Sequence, residues 1–314
     1  MTSDTGHRAA GTPGHGHAHG PGPWSDRRPL LVALALLGAF MIGEVITAVL
    51  SGSLALLSDA GHMLADVGAI GGALWAIRLA ARPPSGKWTF GWRRAEILSA
   101  AANGITLLVV AGIVTAEAIT RLIRPPAVDG WPVIAVAVAG VAVNVAASWV
   151  LARANRSSLN IEGAFRHVLT DLYGFIGTLI AGIVIVTTGF TRADAIASLI
   201  VVVLMAEAAW GLLRDSGLVL LEAAPEDTDL EEVRAHILSV PHVKGVHDLH
   251  AWTVTSGQPT LSAHVIVEDS CFQDGHAPRL LDQLQACLAG DFDIEHSTFQ
   301  LESAAHVGHE PGTH

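Results

Sequence analysis

Charged residues are scarce in this chain. They make up 15% of its 314 residues, whereas a soluble domain carries nearer a quarter. Cysteine is scarcer still, since only Cys271 and Cys287 occur. Two cysteines exclude a disulfide framework and a cluster of thiolate metal ligands. Residues 1–29 are polar and rich in histidine, unlike a cleavable signal peptide, so the first apolar segment is expected to stay as a membrane anchor.

Apolar residues dominate what is present. They make up 51% of the chain, and the mean hydropathy is +0.46. About 20 consecutive apolar residues suffice to cross a bilayer as a helix. Six segments reach about that length: 30–50, 54–79, 95–119, 133–151, 165–188 and 193–221. The composition and these segments predict an α-helical integral membrane protein with six spans, surrounded by lipid.

The positive charges indicate an orientation. Eleven lysines and arginines near the segment ends fall on one side of the predicted membrane, whereas only Arg121, Arg124 and Arg192 fall on the other. Lysine and arginine are enriched in cytoplasmic loops, so both termini are expected in the cytoplasm. An even number of spans agrees with this orientation.

The C-terminal part differs from the rest in charge. From Pro225 onward the sequence has 15 acidic and 3 basic residues, which argues against nucleic acid as a partner and suits cations. A helix–strand–strand–helix–strand pattern there predicts a small ferredoxin-like α/β domain. The predicted organisation is a His-rich disordered arm (1–28), a six-helix membrane domain (29–222), a cytoplasmic α/β domain (223–304) and a disordered tail (305–314).

Two His-x-x-x-Asp motifs lie in the predicted membrane segments. They are His62 with Asp66 and His167 with Asp171. Residues i and i+4 share one face of a helix, so each motif directs an imidazole and a carboxylate the same way. If the two faces meet, two nitrogens and two oxygens form a tetrahedral set suited to Zn²⁺. Two neutral imidazoles, two carboxylates and one Zn²⁺ sum to zero charge, as a site within lipid requires.

Each motif alone has a simpler interpretation. A polar pair on a helix usually faces water or a neighbouring helix. A carboxylate at mid-membrane, however, costs roughly 2.5–3.5 kcal/mol on insertion scales, and a shared cation would offset that cost. Asp59 is a candidate to orient the ligands from one turn away, or a helix-start cap. The N-terminal histidines either collect metal or are incidental to a polar leader.

Four stretches together resemble the cation diffusion facilitator family, in its zinc-transporter branch. They are residues 51–66, 89–98, 167–171 and 246–252, and the similarity extends over about residues 30–302. The resemblance implies six membrane helices, a metallochaperone-like cytoplasmic domain and a homodimer. It also implies Zn²⁺ export in exchange for H⁺, and a place in a bacterial inner membrane.

The resemblance also implies roles for particular residues. The transport site would consist of His62, Asp66, His167 and Asp171. Arg94 and Glu222 match a charge pair that holds the dimer together near the membrane surface.

In the cytoplasmic domain, the resemblance implies a second zinc site at His247, His264 and His296. A family aspartate is replaced there by Thr298, and Glu302 is the candidate substitute. Trp88 and Trp92 occupy positions where some members carry a further histidine site, so none is expected in that loop.

These features predict a zinc/proton antiporter rather than an enzyme. One alternative is a membrane-embedded zinc hydrolase, but a catalytic zinc usually has three protein ligands and an open water position. Another alternative is a metal-binding receptor that signals without transport.

Overall fold

The computed structural model describes residues 27–51, 54–125, 130–154, 158–273, 275–307 and 309. Six long helices come first: α1 (Arg27–Ser51), α2 (Leu54–Ala80), α3 (Ala95–Ile123), α4 (Gly130–Ala152), α5 (Leu159–Thr188) and α6 (Ala193–Leu220). The C-terminal part contains α7 (Leu230–Ser239), β1 (Val243–Thr253), β2 (Pro259–Val267), α8 (Ser270–Gln273), α9 (Ala277–Asp291), β3 (His296–Glu302) and α10 (Ala304–Val307). The predicted six helices and small α/β domain are confirmed.

The two ends of the chain fall largely outside this description. Of the predicted His-rich arm, only Arg27 and Arg28 are described, and they begin α1. At the other end, residues 305–307 belong to the short helix α10.

The long helices carry large apolar side chains on their outer surfaces. Trp75, Ile200, Val203 and Trp210 are each more than 60% exposed. Exposed apolar area on this scale is unusual for a soluble monomer and is expected where lipid covers the surface. Among the described residues, five helices are long and apolar enough to span a membrane: α1, α3, α4, α5 and α6. The sixth long helix, α2, has 27 residues.

Glycines allow neighbouring helices to approach closely. A Cβ placed on Gly140 of α4 would lie 2.3 Å from the ring of Phe175 on α5, so only glycine fits there. Likewise, a Cβ on Gly104 of α3 would lie 2.9 Å from Leu213 of α6. Small residues at helix contacts are typical of membrane bundles, where close van der Waals packing drives association. These contacts bind α4 to α5 and α3 to α6.

The start and end of α5 determine where its motif lies. The preceding residue, Ser158, is extended, and helical geometry begins at Leu159. The helix ends at Thr188, and the next residue, Gly189, has a φ of 72°, a left-handed conformation that glycine adopts without strain. The helix therefore begins six residues before the apolar segment predicted from residue 165, which places His167 two turns inside it.

The C-terminal domain contains a three-stranded sheet in the order β1-β2-β3. Strands β1 and β2 are antiparallel, and β2 and β3 are parallel. Helix α9 makes the connection that two parallel strands require. The predicted helix–strand–strand–helix–strand order is observed, with the short α8 added after β2.

The core of this domain lies between the helices and one face of the sheet. It includes Val233 and Ile237 of α7, Leu261 of β2, and Leu284 and Leu288 of α9, all fully buried. Because side chains alternate along a strand, the residues between the core positions of β2 face away from the helices. One of these outward positions is His264, which therefore lies on the open face of the sheet.

Candidate metal centre

The two predicted metal-binding helices, α2 and α5, meet at their polar residues. His167 Nε2 lies 2.5 Å from Asp66 Oδ1 across the two helices and 3.7 Å from Asp171 Oδ2 on its own helix. Ligand atoms from the three residues lie within 4.8 Å of one another. Three of the four predicted ligands are thus close enough to share one ion. The fourth, His62, is in α2 one turn before Asp66, but its side chain, like that of Asp59, lies outside the described residues.

This cluster is shielded from solvent. The side chains of His167, Asp66 and Asp171 are 2%, 11% and 17% exposed. Apolar residues around it include Met63, Ile70 and Val168, all buried. In such surroundings two carboxylates need either bound protons or a cation, because uncompensated charge is costly away from water. The three side chains are therefore candidates to hold either protons or a cation.

A small cavity of about 10 Å³ adjoins His167. It lies between α2, α3 and α5, and Ser99, Asn103 and Gly163 line it together with His167. Ser99 and Gly163 are each the fifth residue of their helix, so the cavity lies near the starts of α3 and α5. The C-terminal domain contacts these same two helix starts.

Glu96, in the first turn of α3, makes that contact. Its carboxylate accepts hydrogen bonds from Ser158 Oγ (2.5 Å), Thr255 Oγ1 (2.8 Å) and Ser256 Oγ (3.3 Å). Ser256 Oγ also accepts a hydrogen bond from the backbone N–H of Leu159 at 3.1 Å. The turn between β1 and β2 therefore joins the first turns of α3 and α5. Sequence analysis missed this role of Glu96, since its partners are 62 to 160 residues away and leave no local pattern.

A second cluster lies on the sheet of the C-terminal domain. His247 of β1 is paired with His264 of β2, and their rings are 5.0 Å apart. Glu302, at the end of β3, is hydrogen-bonded to His247 Nε2, and its Oε1 lies 3.8 Å from His264 Nδ1. Ligand atoms of the three residues lie within 4.8 Å of one another. The Glu302 side chain is only 2% exposed and lies beside both histidines.

Two other histidines of this domain differ from expectation. His296 is paired with Thr260, four residues before His264 on the neighbouring strand. At about 3.3 Å per residue, it lies roughly 13 Å along the sheet from the cluster and does not join it within one chain. His306 falls in the predicted disordered tail, but its Nε2 lies 3.9 Å from Glu302 Oε2. Because Glu302 ends β3 and His306 lies in α10, no helical spacing in the sequence indicates this contact.

The predicted charge pair forms within a single chain. Arg94 Nη2 lies 2.8 Å from Glu222 Oε1, with side chains 38% and 60% exposed. An exposed pair of this kind contributes about 0–1 kcal/mol. In the same loop, Trp88 and Trp92 stack with ring centroids 4.2 Å apart. Arg93 donates a hydrogen bond to Gln258 in the β1–β2 turn, which adds to the contact between the two parts of the chain.

The chain combines a bundle of long apolar helices, a His/Asp cluster between two of them and a small α/β domain. This combination is typical of membrane proteins that handle metal ions. Residues 30–221 match the family model of the cation efflux transmembrane domain. Residues 225–304 match the model of the cation efflux protein cytoplasmic domain. The chain belongs to the cation efflux family, and the resemblance read from its motifs is confirmed.

Similar proteins cover nearly the whole chain. The cation efflux system protein CzcD of Alcaligenes sp. (strain CT14) is 41% identical over 93% of this chain and 90% of its own length. The zinc transporter ZitB of Escherichia coli (strain K12) is 41% identical over 92% of each protein. A protein of Bacillus velezensis named cadmium, cobalt and zinc/H(+)-K(+) antiporter is 37% identical over 93% of each.

A solved structure is also similar to the C-terminal part. It is the metal-bound C-terminal domain of the CzcD transporter from Cupriavidus metallidurans, which is 41% identical and has a TM-score of 0.21. The match covers 24% of this chain and 99% of that domain.

Proposed function

We propose that this protein is a secondary-active transporter that exports Zn²⁺ from the cytoplasm in exchange for H⁺. The observation that carries the proposal is the convergence of Asp66, His167 and Asp171 between α2 and α5. His62 is the proposed fourth ligand. Membership of the cation efflux family supports a transport role rather than chemical catalysis.

The proposed mechanism rests on competition between protons and the metal. An imidazole nitrogen that binds Zn²⁺ cannot hold a proton, so protonation of the ligands weakens metal binding. With Asp66 2.5 Å from His167 Nε2, a proton shared by these two groups occupies the place a metal ion would take. Binding of Zn²⁺ from one side displaces protons, and protons arriving from the other side release the ion.

The ligand types suit a carrier. Imidazole and carboxylate bind Zn²⁺ well, yet they are harder ligands than thiolate, which favours soft metals. Two carboxylates also neutralise the dication, so the loaded site carries no net charge through the membrane. In this proposal the ion enters from the end of the bundle where α3 and α5 begin, on the side of the small cavity lined by Ser99 and Asn103.

The C-terminal cluster is proposed as a regulatory zinc site. Its buried Glu302 and the two histidines offer two nitrogens and an oxygen, which suits Zn²⁺. His296 is not included, because the sheet register separates it from the other three residues. Bound metal would offset part of the domain's negative charge and so favour the association of two such domains in a homodimer. In this proposal both termini lie in the cytoplasm of a bacterium, and the helices span its inner membrane.

Counterflow in liposomes tests the proposal. The purified chain is reconstituted into vesicles that contain a zinc-sensitive dye and a pH-sensitive dye, with an acidic interior. External Zn²⁺ should enter while the interior becomes more alkaline, and vesicles without protein should show neither change.

Other outcomes separate the alternatives. Zinc binding without flux would favour a receptor, and metal-dependent peptide hydrolysis would favour a hydrolase. Zinc flux without proton movement would contradict the exchange while leaving transport intact.

A further inference from the structure

A third group of metal-ligating side chains lies on the helical layer of the C-terminal domain. His236 is near the end of α7, and Cys287 and Asp291 are one turn apart near the end of α9. His236 Nε2 lies 3.0 Å from Asp291 Oδ2, and Cys287 Sγ lies 4.0 Å from the same oxygen. Ligand atoms from all three residues lie within 4.8 Å of one another.

This group is separate from the His247 cluster. Helices α7 and α9 cover one face of the sheet through Val233, Ile237 and Leu284. His264 points to the opposite face, as the alternation along β2 requires. The two groups therefore lie on opposite sides of the domain.

We propose that His236, Cys287 and Asp291 form a second cation site of this domain, for a thiophilic divalent ion such as Zn²⁺, Co²⁺ or Cd²⁺. Thiolate, imidazole and carboxylate are all common zinc ligands, with bonds of about 2.0–2.3 Å. Tetrahedral angles at those lengths put neighbouring ligand atoms about 3.3–3.7 Å apart. The observed separations of 3.0 and 4.0 Å bracket that range, so small side-chain shifts would suffice.

The surroundings allow an ion to enter. His236 and Asp291 have side chains 42% and 56% exposed, and Cys287 is half-buried. Phe292 contacts the His236 ring edge-on at 5.4 Å and restricts its orientation. Three protein ligands leave a fourth position for water or for a further ligand. The simpler alternative is an ion pair between His236 and Asp291 with the thiol as a neighbour.

Cobalt distinguishes a metal site from an ion pair. Co²⁺ bound to a thiolate gives a charge-transfer absorption in the near ultraviolet that imidazole and carboxylate ligands do not give. The chain has two cysteines, and Cys271 is buried, with 1% exposure. Titration of the purified full chain with Co²⁺ should therefore produce a band that saturates with one thiolate-bound ion per chain.

Variants test which residues bind the cobalt ion that gives this absorption band. Cys287→Ser should abolish it, and His236→Asn or Asp291→Asn should raise the Co²⁺ dissociation constant at least tenfold. His264→Ala, in the other cluster, should leave the band unchanged. Absence of the band in the unmodified chain, or its persistence in Cys287→Ser, would overturn the proposal.

A second measurement needs neither the cobalt absorption band nor a variant in which a ligand residue is replaced. Alkylation of Cys287 in the unmodified chain should slow at least tenfold when Zn²⁺ is added, since a metal-bound thiolate is a poor nucleophile. Unchanged alkylation with and without Zn²⁺ would contradict the site, whatever the transport assay shows.

Discussion

The membrane cluster and the sheet cluster use the same ligand types in different surroundings. Asp66, His167 and Asp171 come from two helices, where a spacing of four residues places ligands on one face. His247, His264 and Glu302 come from three neighbouring strands, where the sheet register places them side by side. The membrane cluster has two carboxylates for one described histidine, whereas the sheet cluster has the reverse.

The difference in carboxylate count follows from the surroundings. An ion that passes through lipid needs its charge cancelled by the ligands themselves, and two aspartates do this for a dication. The sheet cluster lies outside the predicted membrane segments, so the charge of an ion there need not be cancelled by its ligands alone, and one carboxylate can be sufficient. The number of acidic ligands thus distinguishes the proposed cargo site from the proposed regulatory site.

The largest expected effect comes from removing a carboxylate of the membrane cluster. Asp66→Ala should reduce zinc flux in the vesicle assay to the level of empty vesicles, because the remaining ligands neither cancel the charge nor complete the site. Glu207→Gln is the control, since Glu207 is an exposed carboxylate of α6 outside the cluster. Gel filtration should show that both variants remain folded. Flux above background in Asp66→Ala would contradict the assignment of the transport site.

A smaller effect on flux is expected from the sheet cluster. The double variant His247→Ala, Glu302→Gln should bind one zinc ion fewer per chain by equilibrium dialysis. Its zinc flux should persist, within about tenfold of the unmodified protein, because the membrane ligands are intact. His296→Ala is the matched control and should bind as much zinc as the unmodified chain. Equal zinc content in the double variant would remove this cluster from the proposal.

The contact between the two parts of the chain should be weakened by Glu96→Gln. A hydrogen bond to a charged group contributes about 1.5–3 kcal/mol, and the substitution removes the charge that three hydroxyl groups share. Hydrogen–deuterium exchange in residues 254–258 should become about tenfold faster or more. Exchange in α9, far from the contact, should stay the same. Unchanged exchange in the turn would show that Glu96 does not hold it.

The smallest effect concerns acid stability of the C-terminal domain. Hydrogen bonds from His242 and then from Lys244 lower the pKa of Glu268 to about 2. A lowered pKa in the folded state stabilises the domain above the unfolded value of about 4.3, and this contribution is lost as pH falls toward 2. Relative to Glu268→Gln, the unmodified protein should have a higher Tm near neutral pH, with the difference disappearing between about pH 4.5 and 2. A difference that is independent of pH would contradict this origin.

Sequence predicted the membrane cluster better than the sheet cluster, and the reason is geometric. The motifs at Asp66 and His167 follow a helical spacing that can be recognised in the local sequence. The free-energy cost of a carboxylate in lipid also makes a polar pair without a partner a poor alternative. The sheet cluster depends on the register between strands, which places Gln300 rather than His296 opposite His264. The partners of Glu96 could not be predicted, because they depend on how the turn between β1 and β2 contacts the starts of α3 and α5.

The close approach of Phe175 to Gly140 has a consequence for the geometry at His167, eight residues earlier on the same helix. The ring lies where any side chain on Gly140 would be, and it also meets Phe40 of α1 edge-on at 5.8 Å. A methyl group at position 140 would require the Phe175 ring, or α5 itself, to shift relative to α4, on the helix that also carries His167. The distance between His167 and Asp66 is therefore expected to respond to substitution of a glycine, a residue with no side chain of its own.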